Sequence, residues 1–274
     1  MKGLIERVVV PFDAASENRA AIETAARLAY RWGARLHGVF VGDSDLLHLA
    51  RLPFARQVSL GAGVERLTAE QVERHLRAFA ARSRLEVEAA ARRHGVQWSF
   101  EISEAAADDA ALTRSERDFL VAGTVTRPIG RHFRVECRWW RVMESAAVSY
   151  LLVHREWGPT GTVVTLLRDR SPGSVRVLDA AAQCAEAVAG ILTVACSAAL
   201  AASPGFEAWL GERLAGYALE LQVELAPEDG AALLERFGEL DCQLLVLGAG
   251  AVEAQPQWLR QAAARAAYGL LIVR

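Results

Sequence analysis

Arg7-Val8-Val9-Val10-Pro11-Phe12-Asp13 is followed at once by Ala14-Ala15-Ser16-Glu17-Asn18-Arg19 and a run of helical period that ends at Gly33. Three β-branched residues in a row, closed by a proline, predict a short strand buried on both faces, as in the middle of a parallel sheet. Ser16 is a natural N-cap, and Ala21, Ile22, Ala25, Leu28, Ala29 and Trp32 recur at helical spacing. Gly33 supplies a residue able to take positive φ just past the helix end. A second strand, Arg35-Leu36-His37-Gly38-Val39-Phe40-Val41, starts almost immediately.

The same unit comes twice. Val163-Val164-Thr165-Leu166-Leu167-Arg168-Asp169 again ends in an aspartate, and Ser171-Pro172 begins a helical pattern through Val175, Leu178, Ala182, Ala185 and Val188 to Gly190. Asp13 to Gly33 is 20 positions and Asp169 to Gly190 is 21, so the chain reads as an internal repeat. Strand, acidic turn, Ala-rich helix and second strand together resemble the opening of a universal stress protein domain. The resemblance implies an α/β fold of two tandem Rossmann-like sheets of the adenine nucleotide α-hydrolase type. Each would be five-stranded and mostly parallel, with helices on both faces and strand order 3-2-1-4-5. Residues 1–156 and 161–274 are the expected repeats, and Trp157-Gly158-Pro159-Thr160-Gly161 is a turn-rich linker.

Composition fits that division. A length of 274 residues suggests two domains, and 52% apolar with 23% charged residues describes a globular protein with substantial cores. A net charge of −2 argues against nucleic acid and membrane surfaces as partners. Met1-Lys2-Gly3-Leu4-Ile5-Glu6 has no signal-peptide core and no run is long enough to span a membrane, so a cytoplasmic protein is expected. Cys137, Cys184, Cys196 and Cys242 show no C-x-x-C spacing and read as buried, reduced thiols.

Between the second strand and Thr68 lies a long connection with Pro53, Gly61 and Gly63, expected to hold short helical turns around Leu46, Leu47, Leu49 and Leu52 or to form a mobile flap. Thr68 with Gln71 is a capping box for a long helix closed by His94-Gly95. Val96 to Ile102 alternates as a strand, a short acidic helix is expected over about Ala105 to Arg117, and Phe119 to Gly123 is the fourth strand. In the second repeat Ile191 to Ala195 and Leu219 to Leu225 read as strands flanking a helix over Phe206 to Gly216; Leu244 to Gly248 follows as the fourth strand. The fifth strands, Tyr150 to Val153 and Leu270 to Val273, are too apolar to be bare edges. They are expected close together, as an intramolecular pseudo-dimer of the two repeats.

Ligands of such folds sit beyond the carboxyl ends of the strands, where the strand order reverses. In ATP-binding relatives the resemblance implies a loop G-x-x-G … G-[S/T] after strand four, whose glycines let N–H groups close around phosphates. Here Gly123 keeps the first glycine and Thr126 stands at the second. After nine further residues Glu136 and Cys137 stand at the final pair. A carboxylate where phosphate should sit repels it. Ordinary ATP binding is therefore not expected, and no cofactor is required; ATP or another adenine nucleotide stays as the lesser alternative. In the second repeat Gly248-Ala249-Gly250-Ala251 is followed by Pro256 and Gln257 at the final positions, in a loop about five residues shorter. Asp169 reads there as a helix cap or as the rim of a remnant adenosine-sized notch.

Arg127, Arg131, Arg134, Arg138 and Arg141 fall in one 15-residue window, the last four on one helical face opposite Val135, Trp139, Val142 and Ala146. That face is solvated, or it is a site for an anion or an acidic surface. Hydrolase, metalloprotease and Walker signatures are absent, the six histidines form no metal-like pair, and Asp108-Asp109 point about 100° apart on a helix. The leading reading is a non-enzymatic regulatory or interaction protein with a protein partner. The alternative is a sensor of a nucleotide or small anion at Pro11, Asp13, Val41, Gly123, Thr124, Arg127, Gly130 and Arg131. A hydrolase of the related group lacks a candidate nucleophile.

Overall fold

The computed structural model describes residues 5–13, 19–42, 44–59, 63–103, 112–123, 148–153, 161–187, 190–227, 230–240, 242–250 and 268–274. Its contacts divide the chain into two units, one spanning Glu6–Ala146 and the other built mainly from Ala147–Arg274.

The first unit runs β1 (Arg7–Phe12), α1 (Arg19–Trp32), β2 (Arg35–Val41), α2 (Ser44–Ala50), the hairpin β3 (Arg56–Ser59) and β4 (Gly63–Arg66), α3 (Ala69–His94), β5 (Trp98–Ser103) and β6 (Asp118–Gly123). Its parallel sheet has the order β6-β1-β2-β5. Val8 to Phe12 are all buried, as a central strand requires. The apolar stripe of α1 is buried too, and Trp32 meets Phe119 of β6 edge-on at 4.9 Å. Gly33 closes α1 at φ 69°. On α3 the capping box forms in both directions, with the Gln71 amide donating to Thr68 Oγ1 and the Thr68 amide donating to Gln71 Oε1. A side chain at Gly38 would lie 2.6 Å from the Phe100 ring and 3.2 Å from that of Phe12, so the glycine is what lets these two rings pack across β2.

Two expectations change here. The connection after β2 holds α2 where helical turns were expected, and it adds the β3–β4 hairpin, whose short polar strands lack an alternating apolar signal. Of the acidic helix expected over Ala105 to Arg117, the described part beyond Leu112 is a turn. The Asp118 carboxylate accepts the Arg114 and Ser115 amides, and the Asp118 amide donates to Ser115 O. A side-chain acceptor thus competes with helical pairing for those donors.

The second unit contains β7 (Tyr150–Val153), β8 (Thr162–Leu167), α4 (Pro172–Ala187), β9 (Ile191–Cys196), α5 (Ala198–Ala201), α6 (Phe206–Leu214), β10 (Glu220–Leu225), α7 (Gly230–Glu239), β11 (Cys242–Gly248) and β12 (Gly269–Val273). The parallel order β10-β9-β8-β11-β12 is 3-2-1-4-5 for this repeat, as the resemblance implied. β7, the last strand of the first repeat in sequence, pairs antiparallel with β12, setting Leu152 against Leu270, Leu151 against Leu271 and Tyr150 against Ile272. The two apolar terminal strands cover each other, as expected. Among the described residues no helix is long and apolar enough to cross a membrane.

Candidate functional site at the strand switch points

In each unit the strand order turns back at the first strand, and the neighbouring fourth strand parts from it toward the carboxyl end. Registered pairs between β1 and β6 run from Arg7↔Asp118 to Val9↔Leu120, whereas β1 and β2 stay paired to Phe12↔Phe40. The same holds for β8, paired with β11 as far as Thr165↔Val246 but with β9 as far as Leu167↔Cys196. A crevice between strands one and four follows, where doubly wound folds bind ligands. Pro11 falls beyond the last β1–β6 pair, so its missing N–H removes no donor from that ladder.

The first crevice brings together part of the predicted site. Pro11 and Val41 are buried at the ends of adjacent strands, Gly123 is buried at the end of β6, and Asp13, half-buried, stands just past β1. Thr124, Arg127, Gly130 and Arg131 lie outside the described residues, as do Thr126, Glu136, Cys137 and the rest of the arginine-rich segment. The described rim is apolar apart from Asp13 and backbone.

In the second crevice the acidic turn is occupied by its own chain. Asp169 Oδ1 accepts the Ser171 amide at 2.9 Å and the Ser174 hydroxyl at 2.6 Å, and Ser171 Oγ accepts the Ser174 amide at 3.3 Å. These hydrogen bonds, the Ser174 hydroxyl first, hold the carboxyl below the usual carboxylate range. Ser171 is therefore the N-cap of α4, and Asp169, read as a helix cap, instead braces that cap from two positions before it. Beside it Arg170 donates to Ser203 Oγ at 2.7 Å and to Pro204 O at 3.1 Å, and its guanidinium lies 5.6 Å from the centroids of both Phe206 and Trp209. This bridge from the β8 turn to the β9–α6 connection was not foreseen. No local sequence signal announces it, because every partner of Arg170 lies more than 30 positions further on.

The opposite end of the first sheet carries its charge. Arg7 and Asp118 form a two-pronged pair at the starts of β1 and β6, with distances of 2.8 and 2.5 Å. Nearby, His37 is buried on β2, with Nδ1 2.8 Å from Ser99 Oγ and Nε2 3.8 Å from Glu101. Desolvation, then the Arg7 and Arg114 charges, push its imidazole below the ordinary histidine range against the opposing pull of Glu101 and Asp118. A depressed histidine leaves the fold undisturbed above about pH 6.5. As pH falls through that value the unfolded chain takes a proton that the folded chain refuses, so stability drops by at most about 1.4 kcal/mol per pH unit. Urea unfolding of His37→Gln should show a smaller loss from pH 7 to pH 5.5 than the parent. An equal loss would show that His37 does not carry it.

Burial pushes the Cys184 thiol up to about 12 and raises that of Cys196, which makes poor nucleophiles of both, and among the described residues no group of three potential metal ligands is found.

No protein-family model matches the chain, and no curated protein matches it in sequence. Solved structures do match it. A universal stress protein from Archaeoglobus fulgidus DSM 4304 is similar with a TM-score of 0.65 at 13% identity, covering 99% of this chain and 98% of that one. A protein of unknown function from Pseudomonas aeruginosa PAO1 gives 0.61 at 12% identity over 100% and 94%. The cytoplasmic domain of a prokaryotic cation chloride cotransporter gives 0.54 at 14% identity over 98% and 95%. The class is thereby defined: the chain has the tandem α/β, Rossmann-like fold of universal stress proteins along its whole length.

Proposed function

We propose that this chain is a non-enzymatic regulatory protein of the universal stress type that works by contact with another protein and no longer binds ATP in the ordinary way. The observation that carries the reading is the second crevice, where Asp169 is taken up by Ser171 and Ser174 at the start of α4 and Arg170 is bound by Ser203, Pro204 and two aromatic rings. Polar groups that would face a nucleotide are already paired within the chain, and displacing them costs the hydrogen bonds they make. The first repeat agrees at the level of sequence, with Thr126 and Glu136 where backbone-exposing glycines would stand.

The purified protein should carry no nucleotide in native mass spectrometry and give no saturable heat with Mg-ATP at about millimolar concentration. Stoichiometric nucleotide would overturn the reading. One observation favours a second reading, a nucleotide or small-anion sensor: the registered pairing of β1 with β6 stops short of Pro11, Asp13 and Gly123, as it does at a ligand-binding switch point. Thermal stabilisation of the protein by a panel of nucleotides, phosphates and dicarboxylates separates the two, since the sensor requires a response and the interaction protein does not.

A further inference from the structure

We infer that the segment inserted after β2 is a docking surface for an acidic, apolar segment of a partner protein, an inference that rests on the interaction-protein reading above. From the last turn of α2 to the start of β3 the usual sorting of side chains is inverted. Ala50 and Ala55 are buried, whereas Leu49, Leu52 and Phe54 are 47%, 39% and 72% exposed. The chain is held in this shape by its own turns, with the Arg51 amide donating to His48 O, Leu52 to Leu49 O, Ala55 to Leu52 O and Leu67 to Ala55 O. Large apolar groups are thus presented outward on a backbone fixed by hydrogen bonds, at low ordering cost for a partner.

Charge names the partner's chemistry. Arg51 stands between Leu49 and Leu52 in the chain, Arg56 follows Phe54 by two positions, and both, with Arg66 across the hairpin, are exposed. Arg56 and Arg66 stand directly opposite each other in the hairpin register, an arrangement in which like charges repel. Glu65 registers with Gln57 and not with either arginine. Elsewhere in this unit Arg77, Arg82, Arg92, Arg93, Arg114 and Arg117 each pair with a glutamate, while none of these three has an ion-pair partner among the described residues. Guanidinium forks match carboxylates two by two, and aromatic residues with arginine are what interface centres enrich. An anionic bilayer fits less well, because the chain as a whole carries a net charge of −2 and three basic groups are fewer than lipid-binding clusters use.

The probe is a labelled short peptide of Glu, Leu and Phe in amphipathic order, with two controls in which every Glu is Gln or Lys, titrated into the full chain. The Glu peptide should bind at least about tenfold more tightly than either control. Phe54→Ser and the double variant Arg56→Gln/Arg66→Gln should each weaken it by about tenfold or more, with melting temperature unchanged because these side chains are exposed. Equal binding of all three peptides, binding indifferent to the variants, or no binding of the Glu peptide would overturn the surface. So would association with phosphatidylserine vesicles, or self-association in sedimentation, that the same variants abolish. Nucleotide content decides the functional reading separately, and these titrations decide the surface.

Discussion

Asp118→Ala should destabilise the protein by about 3 to 5 kcal/mol, and nearer the lower figure because Arg7 reaches solvent. Asp118 is 1% exposed, and its two oxygens accept four hydrogen bonds: Arg7 Nε and one terminal nitrogen at 2.8 and 2.5 Å, and the amides of Arg114 and Ser115 at 2.7 and 3.1 Å. Alanine leaves a partly buried guanidinium and two amides without this acceptor, and each orphaned group is charged its desolvation penalty. Glu73→Ala provides the contrast. It breaks an exposed pair with Arg77 one helical turn away and should cost no more than about 0.5 kcal/mol. The difference matters for the site, because the Arg7–Asp118 pair clamps β1 to β6 at the end where they begin and so leaves them to diverge at the crevice. Urea unfolding followed by tryptophan fluorescence measures both changes, and a loss below about 1 kcal/mol for Asp118→Ala would show that the clamp does not hold this end of the sheet.

The parts of this fold that could be read from sequence were those whose cause is local. Val8-Val9-Val10, the Thr68–Gln71 box and the glycines at 33 and 95 each specify a strand, a cap or an αL residue within a few positions, and all stand where the pattern put them. Asp118 was not legible, since its partner lies 111 residues away and nothing in a strand-edge aspartate announces burial. The β3–β4 hairpin escaped because Arg56 to Ser59 and Gly63 to Arg66 are four residues each with one valine apiece, too little for an apolar alternation to be read. At the site, the helix start after Asp169 could be read from Ser171-Pro172, and Ser171 is the residue that caps it. Its neighbour Arg170 could not, because its acceptors and rings sit 33 to 39 positions further on. Glycine substitutions in the strand-four loop were visible directly, since a missing residue type needs no fold to be noticed.

Leu271→Asp should prevent the second unit from folding, at an expected cost above about 4 kcal/mol against the roughly 5 to 15 kcal/mol that hold a domain together. β12 lies between β11 and β7, paired parallel with the one and antiparallel with the other, and Leu271 is registered against Val246 on one side and Leu151 on the other, all three fully buried or nearly so. A carboxylate there meets no donor side chain in that register, so it must be buried uncompensated or protonated, and either state is costly. Leu271→Ala removes the same contacts without the polar penalty and should cost about 2 to 5 kcal/mol, while Leu271→Ile, which keeps the volume, should cost less than about 1.5. Loss of β12 would also uncover the apolar edges of β7 and β11, so the aspartate variant should be recovered as aggregate and the isoleucine variant as soluble protein. In the alanine variant, hydrogen exchange at Leu151 to Val153 should accelerate along with that of β12, because the two strands are one cooperative ladder. A soluble Leu271→Asp protein with the parent's melting temperature would mean that this seam, and with it the mutual covering of the two terminal strands, contributes nothing to the fold.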